Sequence, residues 1–173
     1  MGFKIVDCDA LARVAVEKGS SGLKAVVSAF GIYIFNEDGT LNRKALAEKA
    51  FSSKENTKLL NDTIFPFIKE LVVAETIGDK VLLDAPTLYE SGIDSMCCDV
   101  IAVLSNEEIR LDRIIRRDSL DSASSKLRIS AGKPDEYYIK KTDNIIYNNA
   151  DKSDFKTQFE VIINKILKEN CNG

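Results

Sequence analysis

The sequence predicts an α/β fold, a largely parallel sheet flanked by helices with a helical lid. Three observations predict it. Short apolar runs at 3–6, 81–84, 100–104 and 144–147 alternate with longer stretches of helical periodicity, the order that marks a parallel sheet with right-handed crossovers. The run Lys80-Val81-Leu82-Leu83-Asp84-Ala85-Pro86 is nearly continuous in apolar residues before its acid and proline, as a strand covered on both faces should be. The first two runs end in acids, Asp7 and Asp9 in one and Asp84 in the other. Ligands of open parallel sheets bind at those carboxyl ends.

The elements follow in order. Residues 3–6 form a strand, and Asp9 to about Glu17 a helix with Asp9 as a plausible N-cap. Gly19-Ser20-Ser21-Gly22 is a turn, and Leu23, Val26, Val27 and Phe30 place a helix over 23–30 by their spacing. Asn36-Glu37-Asp38-Gly39 is a turn by composition. Asn42 caps a helix running to about Phe51, and Ser53 opens a longer one to about Ile77 that Pro66 should kink or restart. After the strand at 81–84, the run from Asp99 to Ser105 is another strand, followed by helices over 106–117 and 121–131. Asn144–Tyr147 is the last strand. Asp154 to Lys168 closes the chain as an amphipathic helix, with Phe155, Phe159, Ile162, Ile163 and Ile166 on one side.

A chain of 173 residues is one domain, 1–173, with helical subregions at about 20–75 and 106–140. A net charge of -3 gives the whole fold no surface for nucleic acid or another polyanion, so a phosphate site must be a local cluster of Arg or Lys. The absence of histidine removes His-based general bases, Ser-His-Asp triads and His-ligated metal sites. Cys8, Cys97, Cys98 and Cys171 lack C-x-x-C spacing, which argues for reduced, structural thiols in a cytosolic protein, with Cys97-Cys98 a buried pair. No run approaches the about 18 apolar residues of a membrane span, and no charged-then-apolar leader pattern opens the chain.

Two constellations could carry chemistry. A carboxylate at a strand's carboxyl end, Asp9 or Asp84, can accept a proton from a hydroxyl or hold a magnesium-bound water. Arg110, Arg113, Arg116, Arg117 and Arg128 form a local arginine set. A guanidinium is permanently charged and grips phosphate with two parallel hydrogen bonds, which phosphoryl transfer needs around the moving group. The competing readings are that Asp9 only caps its helix, and that Asp112 and Asp118 pair with the arginines on a solvated face.

Several spaced motifs point the same way. Ile5-Val6-Asp7-Cys8-Asp9-Ala10-Leu11-Ala12-Arg13 and Asn36-Glu37-Asp38-Gly39-Thr40-Leu41-Asn42-Arg43 resemble the opening of dephospho-CoA kinases, downstream of that family's phosphate-binding loop. Val81-Leu82-Leu83-Asp84-Ala85-Pro86-Thr87-Leu88-Tyr89-Glu90-Ser91-Gly92 resembles the family's V-L-D-x-P-L-L-F-E-S-G. Leu111 to Asp118 resembles the helix leading into its lid, and Lys126 to Pro134 its R-I-x-x-Q-x-P lid element. Thr142-Asp143-Asn144-Ile145-Ile146-Tyr147-Asn148-Asn149 resembles its A-D-x-V-I-D-N-N strand and turn.

The resemblance implies a nucleotide-kinase-like parallel sheet and transfer of the ATP γ-phosphate to the ribose 3′-hydroxyl of dephospho-CoA, with Mg²⁺ arriving with ATP. It implies that Asp9 activates or orients the hydroxyl and that Arg128 joins it in catalysis as the lid closes. Arg113 and Arg117 would bind ATP phosphates, Asn148 and Asn149 would border the adenine, and Arg13, Asp84 and Tyr89 would line the acceptor side.

The sequence also departs from the family. Phe65-Pro66 stands where His-Pro is usual, Gly132 replaces the lid glutamine, and Tyr147 replaces the aspartate before Asn148-Asn149. The loop G-x-x-x-x-G-K-S/T is not among these residues, and Gly19-Ser20-Ser21-Gly22-Leu23-Lys24 lacks both the motif and a preceding strand. The expectation is therefore a kinase lacking its first, central strand and phosphate loop, inactive as it stands, with Met1 at the end of the missing helix. A break is expected between the strands near 81–84 and 100–104. The rival readings are a family member that binds CoA-like ligands or nucleotides without phosphoryl transfer, and another nucleoside or nucleotide kinase.

Overall fold

Strand β1, Lys4–Asp7, opens the first of two compact units, Met1–Met96 and Cys97–Gly173, in the computed structural model, which describes residues 2–78, 80–142 and 144–170. Met1, Asp143 and Cys171, singled out above, lie outside the described residues.

In the first unit β1 pairs in parallel with β2, Val81–Asp84, in the register Lys4↔Val81 to Asp7↔Asp84. Both acids thus end at one carboxyl edge, as the sequence predicts. The strand closes at Asp7, one residue beyond the predicted end, and helix α1, Cys8–Ala15, follows without a linker. Asp7, not Asp9, is the N-cap: its Oδ1 accepts the Ala10 N–H at 3.0 Å. Asp7 and Asp9, separated by Cys8, are each suited to capping, and the helix start at Cys8 selects the first.

Ser20 caps α2, Ser21–Phe30, accepting the Leu23 N–H at 3.1 Å while its hydroxyl donates to the Ala15 carbonyl at 2.8 Å. The predicted turn at 19–22 therefore ends early, and Gly22 lies inside the helix. A 3₁₀ turn, Ile32–Ile34, precedes the predicted 36–39 turn. In that turn Asp38 Oδ1 accepts from the Thr40 N–H and hydroxyl, and Gly39 takes φ 79°. Asn42 caps α3, Arg43–Ala50, as predicted.

Helix α4, Lys54–Thr76, runs unbroken through Pro66, so the predicted restart is absent. Its inner face holds it: Ile68 and Val72 are buried with Cys8, Ala15 and Ile93, and Phe65 packs against that cluster. A second cluster joins Val16, Leu23, Val26, Phe30, Ile34, Leu46 and Ala50. The short helix α5, Leu88–Ser91, and a 3₁₀ turn, Ile93–Met96, complete the unit.

In the second unit β3, Ile101–Leu104, pairs in parallel with β4, Asn144–Tyr147. Helices α6, Glu107–Asp118, and α7, Ser122–Ser130, form a hairpin whose turn contains Ser119 at φ 53°. Asp121 caps α7 through the Ser124 N–H at 2.9 Å. Helix α8, Asp135–Ile139, precedes β4, and α9, Lys152–Asn170, packs on β4 with Ile163 and Ile166 buried. Thr142 donates to the Val100 carbonyl and Asn144 to Asp99 at 2.7 Å, which satisfies the buried polar groups at the start of β4.

Among the described residues the four strands make two ladders of two, where the sequence predicts one shared sheet. Among the described residues no ladder joins β2 to β3, the pair between which a break is predicted. A parallel strand in a sheet interior needs a hydrogen-bonded neighbour on each side, and among the described residues each strand has one. Cys8 is buried, but Cys97 is half-buried and Cys98 exposed, so the adjacent thiols are not the predicted buried pair. They sit between the end of a 3₁₀ turn and β3.

Candidate active site

In the first unit the carboxyl edge of β1 and β2 carries Asp7 and Asp84 on one rung. The chain turns at Asp7 directly into α1, placing Asp9 in its first turn and Arg13 one turn on, on the same face. Both are exposed, and no hydrogen bond or ion pair engages either side chain among the described residues. Because Asp7 does the capping, the Asp9 carboxylate is left open to solvent and to ligand. Asp84 is exposed at the end of β2, and Tyr89 is half-buried on α5, past the Ala85-Pro86 turn.

In the second unit the carboxyl ends of β3 and β4 deliver the start of α6 and the turn after Tyr147 to one place. Asn148 extends the ladder, its N–H donating to the Leu104 carbonyl at 2.7 Å. Asn149 and Asn106 form a reciprocal pair: Asn149 Oδ1 accepts the Asn106 N–H at 2.8 Å and its amide donates to Asn106 Oδ1 at 3.1 Å. Arg113 donates to the Asn148 carbonyl at 2.8 Å and to its Oδ1 at 3.3 Å. Three residues predicted for ATP, Arg113, Asn148 and Asn149, are thereby brought together. Ser105, Arg110, Arg113, Ile114, Arg116 and Arg117 line an open groove along α6.

Each arginine of the predicted set has a protein acceptor. Arg110 reaches the Ser105 carbonyl at 2.8 Å and both oxygens of Asp135 at 3.0 Å, locking α8 to α6. Arg116 pairs with Asp112 at 3.0 Å. Arg117 grips Asp118 with two bonds, at 2.8 and 3.0 Å, and Arg128 donates to the same carboxylate at 2.6 Å. The guanidinium of Arg117 holds the Asp118 carboxyl below the usual carboxylate range, and Asp118 in turn raises Arg117. Asp118 thus joins Arg117 and Arg128 across the hairpin. The pairing of Asp112 and Asp118 with these arginines is the competing sequence reading, and it is present; the Asp135 partner of Arg110 and the Asn106 partner of Asn149 escape sequence reasoning, because each contact spans residues distant in the chain. Adjacency in Arg117-Asp118 hints at only one half of the Asp118 bridge.

Gln158 of α9 accepts the Tyr147 N–H and donates to its carbonyl, each at 3.1 Å, which covers the edge of β4. Tyr147 thus contributes backbone here, and its ring is half exposed. Gly132 lies exposed just after α7, its N–H bonded to the Ile129 carbonyl at 3.1 Å.

An exposed acid at the carboxyl edge of a parallel ladder, and in the second unit a helical hairpin rich in arginine, are groups of the kind that ATP-dependent phosphotransferases use. The comparisons narrow the class. The sequence model of the family described as dephospho-CoA kinase matches residues 1–154. The dephospho-CoA kinase of Corynebacterium efficiens is 39% identical over 172 residues, covering 96% of this chain and 86% of that protein. That of Fusobacterium nucleatum is 38% identical, covering 92% and 83%. Among solved structures, the dephospho-CoA kinase from Campylobacter jejuni has TM-score 0.65 at 27% identity, over 98% of this chain and 87% of that one. The crystal structure of TT1252 from Thermus thermophilus has TM-score 0.77 at 26% identity, over 95% and 85%. The chain belongs to the dephospho-CoA kinase family.

Proposed function

We propose that this chain carries the acceptor and lid machinery for transfer of the ATP γ-phosphate to the 3′-hydroxyl of dephospho-CoA, giving ADP and CoA. The hydroxyl oxygen forms a bond to the γ-phosphorus as the bond to the β,γ-bridging oxygen breaks, and Asp9 takes or orients the hydroxyl proton. Arg13, Asp84 and Tyr89 bind the acceptor. Arg113, Arg117 and Arg128 bind phosphates, and Asn148 and Asn149 border the adenine. Family membership supports the reaction, and the observation that carries the residue assignment is Asp9 itself: exposed at the carboxyl edge and relieved of capping by Asp7.

Magnesium is assigned to the ATP phosphates, since this ion keeps most of its waters and takes only one or two carboxylates. Among the described residues no group of three or more His, Cys, Asp or Glu could hold a metal ion, and Asp84 is the exposed acid suited to a water of the ion's shell. Among the same residues no helix is long and apolar enough to cross a membrane. A cytoplasmic setting is proposed on the supply of ATP and the thiols outside disulfides.

The test is CoA formation from ATP and dephospho-CoA by a protein in which the family's strand and Gly-Lys-Ser/Thr loop precede these residues. Asp9→Asn should lower its kcat roughly 10²–10⁴-fold. A near-normal kcat would remove Asp9 from the chemistry. The second reading, a binder of CoA-like ligands without transfer, is favoured by Phe65, packed as an apolar residue where the family usually has histidine. Tight dephospho-CoA binding with no CoA formed would select it.

A further inference from the structure

Asp118 stands where a carboxylate is electrostatically disfavoured. It is the last residue of α6, at the end that carries the negative pole of the helix. Its side chain is 22% exposed, against 68% for Arg117 and 56% for Arg128. Arg117 meets it through both oxygens at 2.8 and 3.0 Å, and Arg128 meets Oδ2 at 2.6 Å. A guanidinium fork fits carboxylate and phosphate alike, so the Asp118 oxygens occupy positions that phosphate oxygens would use. Asp121, three residues on, instead caps α7 and is not part of the bridge.

We propose that Asp118 is an internal counter-anion that holds Arg117 and Arg128 together, and that a polyphosphate binds these arginines by displacing it. The proposal rests on the reading that both arginines meet phosphate. Asp118 is then a positioning residue with two opposed effects. It keeps the forks convergent across the hairpin when no ligand is present, and it competes with the ligand for them. Competition dominates the affinity, because a retained negative charge beside an incoming polyanion is repelled at close range.

The probe is inorganic tripolyphosphate, titrated calorimetrically into the full chain at low ionic strength. Asp118→Asn keeps the shape and removes the charge. It should bind about five- to tenfold tighter than the original chain, with the gain shrinking as salt is added. Asp118→Glu should restore the original affinity. Asp112→Asn removes an equal charge from the same helix, beside Arg116, and should change affinity less than about twofold. Arg128→Ala should weaken binding. If Asp118→Asn leaves binding unchanged or weaker while Arg128→Ala weakens it, Asp118 is only a strut of the hairpin and the proposal is overturned, with the phosphate role of Arg128 intact. If Arg128→Ala has no effect, the phosphate reading and the proposal fall together. Asp118→Ser repeats the charge test with a small side chain should the amide variant fail to fold, and weaker or equal binding in it counts equally against the proposal.

Discussion

Asp7 and Asp84 face each other on the last rung of the β1–β2 ladder, yet only Asp7 is drawn into the fold, through its bond to the Ala10 N–H at 3.0 Å. The two acids of Asp7-Cys8-Asp9 therefore separate by role. Asp7→Ala should destabilise the protein by about 1 kcal/mol, the usual effect of losing a cap. Asp9→Ala should leave the denaturation midpoint nearly unchanged. Urea melts of the two variants check this, and the reverse order would return the cap to Asp9.

Gly22 supports the α1–α2 corner. A Cβ there would come within 2.2 Å of the Ala15 carbonyl oxygen, a backbone atom that also accepts from the Ser20 hydroxyl. Gly22→Ala should cost about 1–3 kcal/mol by overpacking, although alanine favours helix more than glycine does. A thermal melt in which the variant is more stable would show that the corner yields freely.

Arg113 ties the middle of α6 to the turn after β4 through both the carbonyl and the side chain of Asn148. Arg113→Lys keeps the charge and loses the paired geometry. In the loop-bearing kinase it should raise the KM for ATP roughly tenfold, the scale of one charge-assisted hydrogen bond. The KM for dephospho-CoA should stay within about twofold. Equal effects on both substrates would separate Arg113 from the nucleotide side.

Acid should unfold the protein through particular carboxylates. The Thr40 hydroxyl holds Asp38 below the usual range, the Ser124 backbone N–H does so for Asp121, and Arg117 for Asp118. Each folded-state value is depressed, so the stability these groups contribute is present above their unfolded value of about 3.9 and is lost as pH falls through the folded one. With no histidine in the chain, the urea midpoint should hold level from about pH 8 to 5 and decline below about pH 4. A main decline near pH 6–7 would contradict this assignment.

The sequence displays what is local. The apolar run 81–84, the Asn42 cap and the strand 144–147 are written in neighbouring residues and appear as expected. Pro66 does not restart the helix, because the buried Ile68 and Val72 face keeps α4 continuous where local sterics alone would favour a break. The Asp9 cap misleads because the choice between two acids one residue apart depends on where β1 stops. At the candidate site, residue types and order are legible, whereas the pairings of Arg110 with Asp135 and of Asn149 with Asn106 depend on how β3 and β4 deliver their ends.

The central claim is that these residues provide the acceptor and lid sides of a dephospho-CoA kinase. It is tested most directly by measuring CoA formation with the 173-residue chain alone and with the family's strand and phosphate loop placed before it. The account predicts no turnover from the chain alone. With the loop in place it predicts turnover reaching about 1 s⁻¹, the low end for kinases, and lowered roughly 10²–10⁴-fold by Asp9→Asn. Turnover at that rate without the loop would contradict it, as would a folded, loop-bearing protein that binds both substrates and forms no CoA.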